Sequence, residues 1–174
     1  IVALLLMIFI FYPLIISLII NRKTKIGFFK AWKYFSKGIR PAQILAFSTS
    51  STAATLPVTM DCVRDNLGVD DKVGSFVLPV GATVNMDGPA LYQSIAVIFM
   101  AQFHMIDLTI VQQATIIFTA TLASIGAASV PSAGLIMLIV VLESVGLNPA
   151  WIAIIFPVDR IIDMVRTMLN LTGD

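Results

Sequence analysis

Long apolar stretches separated by short polar segments make up most of the chain. Residues 1–20 are almost entirely apolar and long enough to span a bilayer, so they predict a transmembrane helix. Residues 75–101 form a second stretch of sufficient length. Between them, residues 21–40 carry seven of the eleven basic residues, interspersed with aromatic ones. The positive-inside rule therefore predicts that this segment is a cytoplasmic linker, either a helix along the membrane interface or a plain basic connection.

The apolar stretch 75–101 is interrupted at its centre by Asn85-Met86-Asp87-Gly88. An Asp at the centre of a spanning helix costs about 2.5–3.5 kcal/mol, and glycine and proline nearby weaken the helix. Unwound backbone is tolerated at membrane depth only against protein or a water-filled cavity. The tetrapeptide therefore predicts a broken transmembrane helix with an oxygen-rich site for a hard cation. The alternative is a kinked helix in which Asp87 has a structural partner.

Two further segments, residues 41–62 and 108–146, each join two apolar arms through a tip of small residues. The first is too short to cross the membrane and return as two full helices, so it predicts a re-entrant hairpin rather than a flexible loop. In the second, Pro131 is expected to end the first arm. A hairpin followed by a polar-centred helix thus occurs twice, from opposite sides, which is typical of the inverted repeats of secondary transporters.

The last predicted helix, residues 150–174, is amphipathic in an unusual way. At about 100° per residue, its polar side chains fall within an arc of roughly 80°. They are Asp159, Asp163, Arg166, Asn170 and Asp174. Charges of this kind are expensive in lipid, so we expect the stripe to face protein or water. A ladder of structural ion pairs is the alternative, but it leaves the excess of acidic groups unexplained, whereas a bound cation or ammonium group explains it.

The composition agrees with this pattern. Of the 174 residues, 58% are hydrophobic and 12% are charged, which indicates an integral membrane protein. The formal net charge of +1 argues against a nucleic-acid partner, and a single cysteine excludes an intrachain disulfide. Because the chain opens inside a hydrophobic run, we expect it to be a fragment whose earlier helices are missing.

Four motifs follow one another along the chain. They are STSSTAATLP at residues 48–57, LPVGATVNMDG at 78–88, SIGAASVP at 124–131 and DMVRTMLNLTGD at 163–174. With them the chain resembles the C-terminal half of the dicarboxylate/amino acid:cation symporters, the glutamate transporter family, and in pattern its prokaryotic sodium-coupled aspartate/glutamate members.

The resemblance implies an all-α polytopic membrane protein with an inverted repeat of re-entrant hairpins. Residues 41–174 would form the core of an elevator-type transport domain, in a multi-pass protein of the cell (plasma or inner) membrane. The implied function is symport of sodium with an acidic amino acid, aspartate or glutamate, and not an enzymatic reaction. Na⁺ would be the co-transported ion, no organic cofactor is implied, and membrane lipid and a homotrimer of the full-length protein are the expected surroundings.

The resemblance also implies site residues. For the substrate they are Ser51, Thr52, Val130, Asp163, Arg166, Thr167 and Asn170. For sodium they are Gly81, Thr83, Asn85, Asp87, Ser124, Ile125, Ala127, Asn170 and Asp174. In this assignment Asp163 receives the substrate amine, and Arg166 clamps a side-chain carboxylate, a task that its planar guanidinium suits.

Some positions depart from the family pattern. Pro89 replaces a threonine that touches the substrate, Ser50 and Met164 stand where a second arginine is usual, and Gln93 replaces a glutamate of the proton-coupled members. A sodium-coupled transporter of neutral amino acids (serine, alanine or threonine) or of C4-dicarboxylates is therefore the alternative function. Outside the transporter class, the residues leave open a membrane hydrolase with Asp159 and Asp163 as an acid/base pair, and a pure ion channel.

The predicted cytoplasmic position of residues 21–40 can be tested at Lys30. A cysteine at Lys30, in a cysteine-free background, should resist membrane-impermeant thiol reagents in intact cells, because basic segments are poorly translocated. Labelling should appear after the membrane is permeabilised. Ready labelling from outside would reverse the orientation.

Overall fold

The computed structural model describes residues 1–24 and 27–174. These residues form helices and connecting segments and contain no strand, so the prediction of an all-helical chain is confirmed for them. Lys25, which belongs to the predicted basic linker, lies outside the described residues.

Nine α-helices occur in the described ranges. They are α1 (Val2–Leu6), α2 (Tyr12–Thr24), α3 (Phe28–Thr49), α4 (Thr52–Asp61), α5 (Asp71–Val84), α6 (Asp87–Phe103), α7 (Ile110–Ile125), α8 (Ala133–Ser144) and α9 (Phe156–Gly173). Two π-helical turns, Met7–Phe11 and Cys62–Asn66, follow α1 and α4, and a 3₁₀-helix, Pro149–Ile154, precedes α9.

The first helix continues from α1 through the π-helical turn into α2. Pro13 has no N–H to donate, and its ring crowds the carbonyl four residues earlier, where the π-helical turn Met7–Phe11 lies. The π-helical turn is wider than an α-helical turn, so it accommodates the proline ring within a continuous helix. Among the described residues, Val2–Arg22 is the one helix that is long and apolar enough to cross a membrane by length and composition.

Helix α3 begins inside the predicted linker and runs past Arg40 and Pro41 to Thr49. The predicted boundary between the linker and the first hairpin, at residue 40, therefore lies inside a continuous helix. Pro41 removes only one helical hydrogen bond, and packing of α3 along both α2 and α9 outweighs that loss. The chain turns only at Ser50, which has a left-handed backbone with a φ of 53°. Ser51 then caps α4, since its Oγ accepts a hydrogen bond from the Ala54 N–H.

A charged connection joins α4 to α5. Arg64 forms ion pairs with Asp61 and Asp65, all of them exposed. The hydrogen bond from the guanidinium holds the pKa of the Asp65 carboxyl below its usual value. Exposed pairs of this kind contribute little to stability, and they mark the segment as one that faces water.

The apolar stretch 75–101 is divided between two helices. Helix α5 ends at Val84, Asn85 and Met86 have non-helical backbone angles, and α6 begins at Asp87. Gly88 and Pro89 lie in the first turn of α6, where a missing N–H costs little because those donors have no partner within the helix. The interruption therefore falls directly before a helix whose first turn tolerates a proline.

Helices α7 and α8 are joined by the non-helical residues 126–132. Thr109 and Gln112 form a capping box at the start of α7. The prediction that Pro131 ends the first arm is wrong, because α7 already ends at Ile125 and is followed by Gly126. A helix commonly ends where glycine follows, so the connecting segment is longer than expected.

The larger apolar core lies between the first helix and α6, α7, α8 and α9. Met100, Ile116 and Leu138 are completely buried in it. In contrast, many large apolar side chains on the outside are exposed, for example Phe29 at 82% and Ile110 at 84%. An apolar surface of this extent is typical of contact with lipid or with further protein.

Close packing of α6 against α9 depends on Gly88. A Cβ atom at this position would lie 2.8 Å from the Arg166 carbonyl oxygen and 2.9 Å from Asn170 Oδ1. Both are held by α9 itself, so a side chain at residue 88 would force the two helices apart.

Gly88→Ala is therefore expected to destabilise the protein by about 1–3 kcal/mol, as overpacking does. The measurement is the unfolding temperature in detergent. The control is Gly74→Ala in α5, where the nearest atom to a Cβ is 4.0 Å away and alanine is the better helix former. Equal unfolding temperatures of Gly88→Ala and the native protein would contradict a tight contact between α6 and α9 at residue 88.

Candidate functional site

The polar stripe of α9 lies inside the protein. Arg166 is 1% exposed and Asp159 is 2% exposed, and Asp163, Thr167 and Asn170 are buried as well. The expectation that this stripe faces protein or water and not lipid is confirmed. Contacts within α9 and with α6 and the 126–132 segment offset part of the cost of burying these polar groups.

Arg166 is the centre of these contacts. Its Nη2 atom donates hydrogen bonds to Asp159 Oδ1 at 3.1 Å and to Asp163 Oδ1 at 2.7 Å. The guanidinium carbon lies 4.0 Å from the ring centroid of Tyr92, whose hydroxyl donates to the same Asp159 oxygen at 3.0 Å. An arginine keeps its charge in a protein, so the two carboxylates and the aromatic face compensate it.

The other side of the guanidinium has donors to spare. Arg166 Nε and Nη1 are buried and have no hydrogen-bond partner among the described residues. Gly134 of α8 lies beside them, and a Cβ at this position would be 3.4 Å from Nη1. Gln93 donates to the Gly134 carbonyl at 3.0 Å, and its own Oε1 is unpaired in the described part of the chain. Unpaired charged donors in a buried position are costly, and an anionic group would satisfy them.

A small cavity of about 20 Å³ borders this arginine. The residues that line it are Ser50, Thr52, Met86, Pro89, Ala127, Ala128, Ser129, Val130, Ala133, Gly134, Asp163, Arg166, Thr167 and Asn170. Six of the seven predicted substrate residues are in this set. The volume holds about one water molecule, so the site is closed in this structure.

Ser51, the seventh predicted substrate residue, joins the two tips instead. Its Oγ donates to the Ser129 carbonyl at 2.7 Å, and the Ser129 hydroxyl donates to the carbonyl of Ala82 in α5. Thr52 Oγ1 donates to the same Ala82 carbonyl at 3.3 Å. The segments that the sequence identifies as tips therefore meet each other at the end of α5, next to the interruption of the broken helix.

A second polar cluster surrounds the interruption between α5 and α6. Asn85 Nδ2 donates to Asp174 Oδ1 at 3.0 Å and to the Asn170 carbonyl at 3.3 Å. Asn170 Oδ1 accepts the Gly88 N–H at 2.8 Å. A Cβ at Gly81 would lie only 3.1 Å from Asp174 Oδ1. The predicted sodium ligands Gly81, Asn85, Asn170 and Asp174 are therefore brought together.

Tyr12 is a member of this cluster that sequence reasoning missed. Its hydroxyl donates to Asp87 Oδ2 at 2.7 Å. The same hydroxyl faces Gly173, where a Cβ atom would lie 2.5 Å away. The only signal in the sequence is a polar group in the middle of an apolar helix, and its partner is 75 residues away.

The remaining predicted sodium ligands are not gathered into one group. Thr83 is exposed, and its hydroxyl donates to the Val80 carbonyl at 3.0 Å. Ser124 and Ile125 line a cavity of about 930 Å³ that also borders Asn85 and Asp87. Ala127 lies instead on the small cavity beside Arg166. No described contact joins Thr83 to the other three.

The whole chain is similar to known membrane transporters. A profile of the sodium:dicarboxylate symporter family matches residues 1–174. An excitatory amino acid transporter of Caenorhabditis elegans is 52% identical over 140 residues, which are 80% of this chain and 28% of that protein. Excitatory amino acid transporter 2 of Mus musculus is 49% identical over 165 residues, and the Homo sapiens protein of the same name is 48% identical over 165.

Both of these mammalian matches cover 95% of this chain and 27% of the relative. The chain thus spans about a quarter of the length of the curated relatives it matches. The profile match extends over every residue, including the polar stripe and the helix interruption. The chain therefore belongs to the sodium:dicarboxylate symporter family.

Proposed function

We propose that this chain is part of a secondary active transporter that couples sodium entry to uptake of an acidic amino acid, aspartate or glutamate. The observation that carries the proposal is the buried guanidinium of Arg166, which has carboxylates on one side and, among the described residues, unpaired donors on the other. Family membership supports it, as do relatives that are named as excitatory amino acid transporters.

The substrate would exchange partners with groups that are already paired. Its side-chain carboxylate would accept hydrogen bonds from Arg166 Nε and Nη1, which need an anion. Its ammonium group would bind Asp163, whose Oδ2 now accepts the Ser132 N–H at 3.0 Å. Asn170 and Thr167, which line the same cavity, would hold the α-carboxylate. Each charge of an acidic amino acid then meets a group of opposite charge or a donor.

Entry of an amino acid requires a larger space than about 20 Å³. The non-helical residues 126–132 would move to open the cavity, because only a few described hydrogen bonds join them to the rest of the site. These are the bond from the Ser132 N–H to Asp163 and the two hydrogen bonds of Ser129, with Ser51 and with Ala82. A substrate that takes over Asp163 removes the first of them, so binding and movement of the segment are coupled.

Sodium would bind at the helix interruption. Asn85, Asp87 and Asp174 would provide side-chain oxygen atoms there, and Gly81, whose carbonyl accepts the Asn85 N–H at 2.8 Å, lies beside Asp174. Hard cations prefer such ligands. Asn170 borders both sites, since its backbone carbonyl accepts from Asn85 while its side chain lines the small cavity. Occupancy of one site therefore changes the geometry of the other, and this coupling is reciprocal.

The architecture that we propose for the complete protein follows the same reasoning. Residues 41–62 and 108–146 are re-entrant hairpins, residues 75–101 a broken transmembrane helix, and residues 150–174 the helix that carries both sites. Together, 41–174 form an elevator-type transport domain, and 1–20 and 21–40 the preceding transmembrane helix and basic linker. The meeting of both tips at Ala82 supports this division. The protein is multi-pass in the cell membrane and assembles as a homotrimer.

A neutral amino acid is the second candidate substrate. Pro89 lines the small cavity and offers no hydroxyl group. Ser50 and Met164 provide no second guanidinium. A C4-dicarboxylate is less suited, because Asp163 would face a carboxylate without an amine to bind.

The direct test is uptake of labelled aspartate into proteoliposomes that contain the complete protein. Uptake should require an inward sodium gradient. It should be larger than uptake into the same proteoliposomes with potassium, and no sodium, on both sides. Absence of sodium-dependent uptake of aspartate, serine and malate alike would exclude the proposed function.

Asp87→Asn should raise the sodium concentration for half-maximal uptake by at least about ten-fold, because it removes a full negative charge and keeps the shape. Tyr12→Phe should raise it less, by about three-fold, because it removes only one hydrogen bond to that carboxylate. The apparent affinity for substrate at low sodium should fall in parallel.

The matched control for charge is Asp107→Asn, in the exposed connection between α6 and α7, which should behave like the native protein. If Asp87→Asn and Asp107→Asn show the same sodium dependence as the native protein, Asp87 is not an ion ligand.

Arg166→Cys should weaken aspartate about ten- to a hundred-fold, since it removes a charge-assisted bidentate contact. Serine and alanine never use that contact, so their uptake should be equal or better. The measurement is competition by each amino acid in the same proteoliposomes.

Arg160→Cys is the control on the same helix, because Arg160 is half exposed and lies 3.9 Å from Asp163 without reaching the cavity. Its selectivity should stay native. Should the native protein take up serine and ignore aspartate, the acidic substrate is wrong while the symport proposal stands.

A further inference from the structure

A cavity beside α3 is separate from the proposed transport site. It has a volume of about 670 Å³ and lies between the first helix, α3 and α9. Ile8 and Phe9 of the π-helical turn and Met168 of α9 form one wall. Trp32, Lys33, Ser36, Lys37 and Arg40 of α3 form the other. The cavity therefore has an apolar wall and a basic wall.

The three cations of the basic wall lie on one face of α3. Lys33 and Lys37 are four residues apart, Arg40 follows three residues later, and such spacings place side chains above one another on a helix. At a rise of 1.5 Å per residue they extend over about 10 Å. In the described part of the chain, none of the three forms an ion pair, and no acidic residue lines the cavity.

Ser36 gives a second, independent indication of a ligand. Its Oγ atom is buried and has no hydrogen-bond partner among the described residues, although it lies on the same wall. Buried hydroxyl groups are normally paired, often with a carbonyl of their own helix. An unpaired donor between Lys33 and Lys37 is suited to a phosphate oxygen.

We infer that this cavity binds an anionic phospholipid. The phosphate group lies against Lys33, Lys37, Arg40 and the Ser36 hydroxyl, and an acyl chain lies along Ile8, Phe9 and Met168. Phe9 is 65% exposed and belongs to the helix that is long enough to span a membrane. Its side chain therefore offers an apolar surface to the acyl chain. Trp32 lies on the basic wall, and indole rings are enriched at the boundary between headgroups and acyl chains.

A lipid fits these walls better than a free anion does. The cations alone would suit inorganic phosphate, but the opposite wall of Ile8, Phe9 and Met168 carries no polar side chain. Gln43, a further residue of α3 at the cavity, already donates its amide N–H to Thr172. An amphipathic ligand satisfies both walls at once. Basic side chains next to a transmembrane helix attract anionic headgroups, and the attraction falls with salt.

Trp32 allows a direct measurement. The chain has two tryptophans, and Trp151 is replaced by Phe, together with any others in the complete protein, so that Trp32 reports alone. The protein is reconstituted with phosphatidylglycerol or phosphatidylcholine that carries brominated acyl chains, at equal mole fractions in an unbrominated background. Bromine quenches Trp32 only when the chain is in contact with it.

Brominated phosphatidylglycerol should bind next to Trp32 with an association constant at least about five-fold above that of brominated phosphatidylcholine. The attraction between one basic side chain and an anionic headgroup corresponds to about this factor. The preference should shrink when the salt concentration is raised to about 0.5 M. It should disappear in the triple variant Lys33→Gln, Lys37→Gln, Arg40→Gln. The triple variant Arg22→Gln, Arg64→Gln, Lys72→Gln removes the same charge outside the cavity and should keep the preference.

Equal quenching by the two lipids at low salt would overturn the inference. So would a preference that both triple variants lose equally, because it would then reflect surface charge alone. Absence of quenching by either lipid would overturn it too, because another part of the protein would then cover the cavity. Loss of the preference on adding millimolar inorganic phosphate would assign the site to a free anion instead.

Discussion

A buried guanidinium that cannot lose its charge is the constraint on which the rest of this structure depends. Arg166 must be compensated wherever it is placed, because arginine stays protonated in proteins. Asp159 and Asp163 on its own helix and the ring of Tyr92 from α6 provide that compensation. Gly134 leaves room for the guanidinium beside α8. One side chain therefore lies in contact with α6 and α8 as well as with its own helix.

The second constraint is backbone that leaves the helix inside an apolar segment. The side-chain amide of Asn85 donates to Asp174 and to the Asn170 carbonyl of α9, and the Gly88 N–H donates to Asn170 Oδ1. This pairing requires α9 to come very close to the broken helix. Glycines at residues 81, 88 and 173 allow it, since a Cβ at each would lie about 3 Å or less from an atom across the contact.

Helix α9 thus carries two kinds of chemistry about one turn apart. Arg166 and its carboxylates face the small cavity, while Asn170 and Asp174 face the helix interruption. Because Asn170 contacts both regions, the proposed coupling between them would pass through α9. The non-helical residues 126–132 close over the first region by a few hydrogen bonds that a bound ligand can replace. In the proposed transporter, this arrangement would couple the binding of substrate and sodium.

The sequence alone determined the helical class, the polar stripe of α9 and its burial, because hydrophobic length and the 100° periodicity are local properties. The motifs likewise led to the family. Only the tertiary structure decided the exact ends of α3 and α7, since packing of α3 on α9 outweighs one proline and the end of α7 depends on Gly126. It also brought Tyr12 to Asp87 across 75 residues, left Thr83 apart from Ser124, and formed the basic cavity on α3. These are contacts between distant segments, which no local pattern encodes.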